Sequence, residues 1–306
     1  MMENKFMRDV FLTELYEKMA TNTKIFLVTA DLGAPIIDKI KVEYSDRFLN
    51  VGIAEQNLIN VSVGLALEGY IVYAYGITPF VTMRCYEQIR VNVAILSSIK
   101  ELNINLIGVS VGVGYAMSGP THHTLEDISI IKALPNIEIF SPSDYLSAKE
   151  YVNRSIVNNS PKYIRLDATS LSPIETKIKS FDNGFRKLKK GSKVAIISTS
   201  FMVQKIYKLI TNLDIILIDL YFINTYNKNK LIEELSNIET IITIEEGFKN
   251  AGGLDSEINY HFKDKNIINM GVEKQYTFEI GSREFVHSKT GIGEEEIIKV
   301  ITEALA

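Results

Sequence analysis

The chain carries a single cysteine, Cys85, among its 306 residues. That count excludes an intramolecular disulfide and a cysteine-built zinc cage, and it suits a reducing compartment. There is no basic excess either. The formal net charge is -4, so no positive field draws nucleic acid or an anionic lipid surface. The lysines between Lys187 and Lys193 read as a solvated link rather than a binding stripe. No window approaches the ~20 uninterrupted apolar residues of a membrane span. The opening MMENKFMRDVFLTELYEK contains acids and lacks an apolar stretch followed by small residues, so it does not read as a secretory signal. Repeats and low-complexity segments are missing as well. What remains is 46% hydrophobic and 23% charged, a globular composition long enough for two domains. These features point to a soluble, cytoplasmic protein with no nucleic-acid or membrane partner.

Strand and helix patterns alternate through most of the sequence. Short apolar runs of the buried parallel-strand kind occur at Ile25 to Thr29, Arg47 to Val51, Ile71 to Tyr75, Asn105 to Val111, Ile137 to Phe140 and Lys162 to Ile164. Helical spacing is present at Met7 to Ala20, Glu55 to Leu67, Tyr86 to Ser98, Glu126 to Ala133 and Tyr145 to Asn158. This rhythm predicts a parallel sheet with helices on both faces. Serine, proline and lysine interrupt it around 171–190, which predicts a linker. Strands at Lys193 to Ser198, Asp214 to Asp219 and Ile241 to Glu245 then follow, with helices at Met202 to Leu213 and Glu294 to Leu305. The expected fold class is therefore α/β, in two domains, each an open, mostly parallel sheet flanked by helices. The expected boundaries are 1–170, a linker at 171–190, and 191–306.

Ligands of open parallel sheets bind beyond the carboxyl ends of the strands, so the residues after each strand carry the chemistry. Three places qualify. Gly52-Ile53-Ala54-Glu55-Gln56-Asn57 sets an acid in the opening turn of a helix, where it also opposes the macrodipole. Pro79-Phe80-Val81-Thr82-Met83-Arg84 offers Phe80 and Met83 either to a ligand or to the core. It also supplies Arg84, and Arg90 beyond it, as guanidinium groups suited to phosphate. The third, Gly112-Val113-Gly114 through Gly119-Pro120-Thr121-His122-His123, begins like a dinucleotide fingerprint. Met117 stands where the third glycine belongs, so that motif fails. It leaves a loop presenting two histidines able to act near neutral pH. Adjacent histidine side chains diverge, and no third ligand is fixed nearby, so no metal site is expected.

Taken together, these places resemble the pyrimidine-binding domain of the transketolase and deoxyxylulose-phosphate synthase family. The resemblance runs through Asp46-Arg47-Phe48-Leu49-Asn50-Val51-Gly52-Ile53-Ala54-Glu55-Gln56, Phe80, Gly119-Pro120-Thr121-His122, Leu134-Pro135-Asn136 and Ser141-Pro142-Ser143-Asp144. The second half is similar to the family's C-terminal domain, with Glu245-Glu246 and Ala251-Gly252-Gly253-Leu254 as its turn. The resemblance implies thiamine diphosphate as cofactor, itself the electron sink. It implies that Glu55 shares a proton with the aminopyrimidine ring, with Ile53 and Leu58 as apolar cover favouring the protonated carboxyl. It implies Phe80 stacked on that ring, Met83 where many relatives carry a tyrosine against the cofactor, and His122 on the substrate's hydroxyl or carbonyl oxygens. Ser118, His123, Arg84 and Arg165 are the further substrate residues that it suggests.

Two departures bear on substrate. Ser118 stands where transketolases carry an acid before Gly-Pro-Thr-His, and Ser110 lies near the place of another substrate histidine. A third bears on assembly. The family's Gly-Asp-Gly motif, which holds Mg²⁺ and the diphosphate, is missing from the sequence, and Mg²⁺ requires such oxygen ligands. The resemblance thus implies a separate N-terminal transketolase-type subunit carrying the diphosphate and Mg²⁺, in a closed α2β2 assembly. The implied activity is transfer of a two-carbon ketol unit between sugar phosphates or related sugars. A deoxyxylulose-phosphate-synthase-like or 2-oxoacid decarboxylating subunit, and a non-catalytic regulatory homologue, remain as alternatives.

Overall fold

The computed structural model describes residues 3–175, 178 and 180–306. Residues 176, 177 and 179 of the expected linker lie outside the described residues. Two compact units emerge. Met1–Ser110, Ala133–Phe140 and Asp144–Lys177 make the first; Val111–Lys132, Ser141–Ser143 and Ile178–Ala306 make the second.

The first unit holds strands β1 (Lys5–Phe6), β2 (Ile25–Thr29), β3 (Phe48–Asn50), β4 (Ile71–Ile77), β5 (Ile104–Val109), β6 (Glu138–Phe140), β7 (Lys162–Leu166) and β8 (Ser170–Leu171). Six of them form one parallel sheet in the order β3-β2-β4-β5-β7-β6. Its inner strands are apolar almost without a break. Every residue of β5 is buried, as are Tyr73 and Tyr75 of β4, the pattern of strands covered on both faces. Strands β1 and β8 pair antiparallel and tie the two ends of this unit together. The helix Tyr145–Val157 starts at Asp144, whose carboxylate accepts from Ser147 N at 2.8 Å and satisfies one of the helix's open N–H groups.

The topology positions a crevice. From β2 the chain moves outward to β3, then returns to β4 on the other side of β2. Such a reversal leaves a ligand-sized opening at the strands' carboxyl ends. Helix Glu55–Leu67 begins beyond β3, and the segment from Phe80 begins beyond β4. The helix expected from Tyr86 starts earlier than its apolar spacing indicates. Pro79 already has helical backbone angles, and wide, π-type turns run over Phe80–Arg84 and again over Ile89–Ile95. Pro at a helix start forfeits no hydrogen bond, and wide turns of this sort concentrate at functional positions.

The second unit holds β9 (Phe185–Lys189), β10 (Val194–Ser198), β11 (Ile215–Leu220), β12 (Thr240–Phe248) and β13 (Asn266–Val272) in the order β13-β12-β10-β11-β9. All neighbours are parallel except β9, which runs antiparallel to β11. Strand β9 falls inside the segment expected as a solvated link. Its lysines sit on a sheet edge, where charge discourages unwanted pairing, while Phe185 is buried.

Segment Val111–Lys132 belongs to this second unit by its contacts. Phe248 N donates to Leu125 O at 3.1 Å, and Lys132 Nζ donates to Gly253 O at 2.8 Å and to Ser256 Oγ at 2.7 Å. Gly112 lies so close to Glu246 that a Cβ there would stand 2.1 Å from Oε2. Among the described residues no helix is long and apolar enough to cross a membrane.

Candidate active site

Glu55 opens its helix at the crevice of the first sheet, with 4% of its side chain exposed. A carboxylate this buried needs a partner, and Arg84 supplies it: Arg84 Nη1 donates to Glu55 Oε2 at 2.7 Å. The same guanidinium lies over Phe80, its central carbon 4.3 Å from the ring centroid. In the wide turn Phe80–Arg84, residues four apart stay on one side, which brings the Arg84 guanidinium over the Phe80 ring. Arg84 remains 44% exposed. The three residues form a slot bounded by a buried carboxylate and an aromatic face, with a flat cation between them.

Cys85 lies beside this slot. Burial, and then the charge of Glu55, push its thiol up to about 12, so it is a packed thiol and not a nucleophile at neutral pH. Thr78 Oγ1 donates to Val109 O at 2.8 Å and Thr82 Oγ1 to Thr78 O at 2.7 Å, fixing the turn to the sheet.

Two expected neighbours differ from expectation. Ile53 does not cover Glu55; its residue is 76% exposed, because Gly52, at φ +76°, turns the chain outward before the helix. Leu58 is buried, but the group facing the carboxylate is the Arg84 cation rather than an apolar wall. Met83, next to Arg84, lies at the exposed rim. Arg165, expected in a loop beyond its strand, is inside β7. Pairing with β5 continues through Val109↔Leu166, which leaves Arg165 opposite Gly108 and 2% exposed.

The histidine loop sits in the second unit. A tight turn at Ala116–Ser118 leaves Ser118 exposed, and Gly119, at φ +73°, allows the reversal that follows. His122 N donates to Gly119 O at 3.0 Å, and His122 Nδ1 lies 3.0 Å from Thr121 Oγ1. The His122 ring is half-buried and meets the edge of Tyr115. His123 is buried instead of presented, and burial lowers its pKa below the ordinary imidazole value. The base of the loop is closed by Thr124 N donating to Gly112 O at 2.7 Å.

One charged cluster escaped sequence reasoning. Glu246 accepts from Arg283 Nε at 2.7 Å and also from Arg283 Nη2 and His287 Nε2. His287 Nδ1 stands 3.0 Å from Lys205 Nζ, which pairs with Glu284 at 2.6 Å. Burial works to raise the Glu246 pKa, but Arg283 and His287 prevail and hold it far below the carboxylate range. The adjacent acids Glu245-Glu246 at a strand end were the available signal. Their partners lie too far along the chain for spacing to reveal them.

Comparison with known proteins identifies the family. The family profile for the transketolase pyrimidine-binding domain matches residues 4–173. One of the subunits of the apulose-4-phosphate transketolase of Actinobacillus succinogenes is 30% identical over 216 residues, covering 69% of this chain and 68% of that one. The 1-deoxy-D-xylulose-5-phosphate synthase of Thermotoga maritima is 30% identical over 294 residues, covering 91% of this chain, which spans only 46% of that enzyme. Among solved structures, a split-gene transketolase described as an inactive beta4 tetramer superimposes with a TM-score of 0.85 at 24% identity, over 98% of each chain; that likeness supports the α/β fold. With its pyrimidine-domain match and its alignment to a transketolase subunit, the chain belongs to the transketolase family.

Proposed function

We propose that this chain is the C-terminal subunit of a split, thiamine-diphosphate-dependent transketolase that moves a two-carbon ketol unit between sugar or sugar-phosphate substrates. The observation that carries the reading is the slot at Glu55 and Phe80. A buried carboxylate and an aromatic face, bridged by a flat N–H donor, suit an aminopyrimidine. When bound, thiamine diphosphate supplies a nucleophilic carbon and an electron sink. Glu55 would hold and exchange a proton at the pyrimidine ring nitrogen, a role of a kind worth about 10²- to 10⁴-fold in rate. Phe80 would stack on the ring, while Met83 and Ile53 lie at the rim. His122 and Ser118 would meet substrate oxygens.

Mg²⁺ and the diphosphate would be held by a separate N-terminal transketolase-type subunit, in an α2β2 assembly. The Actinobacillus relative, itself named as one subunit of its transketolase, supports a divided enzyme. Residues 1–170 would be the pyrimidine-binding domain and 191–306 the C-terminal domain. A second reading, a synthase using a 2-oxoacid donor, draws on the 30% identity to the deoxyxylulose-phosphate synthase over 91% of the chain.

The test pairs this chain with its N-terminal-type partner, thiamine diphosphate and Mg²⁺, and follows ketol transfer from a ketose phosphate, with pyruvate as the competing donor. Turnover is expected with the ketose and is lost in Glu55→Ala. Equal turnover in wild type and Glu55→Ala removes Glu55 from the mechanism, turnover by this chain alone removes the partner, and turnover only with pyruvate selects the second reading.

A further inference from the structure

Assigning Glu55 and Phe80 to the pyrimidine leaves Arg84 to be explained. Its guanidinium donates to the Glu55 carboxylate at 2.7 Å and lies 4.3 Å over the Phe80 ring. One planar group thus touches both residues, so it lies on the face of Phe80 that looks toward Glu55. A ring that stacks on Phe80 and shares a proton with Glu55 needs that same face. The two groups are also chemically alike: each is flat and conjugated, carries N–H donors along one edge and can bear positive charge. The slot cannot hold both.

We propose that Arg84 is a stand-in for the cofactor's aminopyrimidine, filling its place in the cofactor-free chain, and that the cofactor binds only as Arg84 leaves. The proposal rests on the assignment of Glu55 and Phe80 made above. Two observations give it physical content. Glu55 is 4% exposed, and an ionised carboxylate that deep is costly without a cation, so a chain without cofactor needs a temporary partner there. Arg84, by contrast, is 44% exposed. An ion pair with one end in water is weak, and the long arginine side chain is already half in solvent. The contact is therefore strong enough to occupy the slot and weak enough to be exchanged.

Thiamine without its diphosphate isolates this half of the site and serves as the probe. Its affinity for the full chain is measured by calorimetry for wild type, Arg84→Met and the double variant Glu55→Gln with Arg84→Met. Arg84→Met is expected to bind thiamine roughly fivefold more tightly than wild type, the scale of one partly exposed ion pair. It should also unfold at a lower temperature, with the loss recovered in the double variant, whose neutral amide needs no cation. Thiamine binding that is unchanged or weaker in Arg84→Met overturns the stand-in. If Arg84→Met does not fold, the same measurement on Arg84→Lys decides, since lysine keeps the charge and gives up the flat face. Tighter binding that persists in the double variant supports the stand-in on Phe80, while the part of Glu55 in the chemistry is decided separately, by turnover of the Glu55 variant.

Discussion

Two of the deeply buried glutamates near strand carboxyl ends, Glu55 and Glu246, are held in opposite ways. Glu55 of the first unit has Arg84 as its ion-pair partner, and that partner is half in water. Glu246 of the second unit is boxed in by Arg283 and His287, themselves 10% and 0% exposed, with Lys205 and Glu284 behind them. A carboxylate with an exchangeable partner can take up a different one. A carboxylate enclosed by buried hydrogen-bond donors is a structural tie. The comparison separates chemistry from architecture better than burial alone, because both side chains are equally hidden.

Four substitutions would break or sharpen that contrast. Glu55→Gln should cost about 10²-fold or more in ketol transfer while changing urea-unfolding stability by less than about 1 kcal/mol. A comparable loss of stability would place Glu55 with Glu246. Glu246→Gln should show the reverse, losing about 3–5 kcal/mol in urea unfolding because Arg283 and His287 are left buried without their anion. The pH dependence has a definite sign. The folded-state pKa of Glu246 is lowered, so its contribution is complete above the ordinary glutamate range of about 4.3 and disappears as pH falls through the folded value. The gap between wild type and Glu246→Gln should therefore narrow below about pH 4.

Gly112→Ala tests how firmly the histidine loop is seated on that tie. At φ +58°, with Glu246 Oε2 2.1 Å from an added Cβ, alanine should cost about 2 kcal/mol or more and shift the imidazole NMR signals of His122. Unmoved signals would show that the loop is set independently of Glu246. The smallest effect belongs to Asp144→Ala. It should remove about 1 kcal/mol without touching either glutamate, and chemical denaturation measures it.

Much of the first sheet was legible in advance, since strands such as Ile25–Thr29 are uninterrupted apolar runs bounded by polar turns. That Glu55 and Phe80 fall just beyond strand ends was legible for the same reason, whereas their proposed roles came only from the family resemblance. The pairing of Glu55 with Arg84 was not. The residues are 29 apart, and the wide turn that aims Arg84 back at Glu55 leaves no mark in hydrophobic spacing. Strand β9 was hidden by its lysines, which suit an exposed edge as well as they suit a solvated link. The Glu246 cluster draws on Arg283 and His287 of one helix and Lys205 of another, and only the folded chain assembles them. Arg165 shows how two extra residues of strand pairing turn a residue expected beyond the strand into a buried one.

The seating of Val111–Lys132 on the second unit bears on protein engineering. A chimera that joins the first half of this chain to the second half of a relative at a single splice near residue 178 would separate this insert from the partners it packs on, Phe248, Gly253 and Glu246. The inserted segment and the C-terminal unit form one exchangeable cassette, and grafts that move both together should preserve folding where a single cut does not.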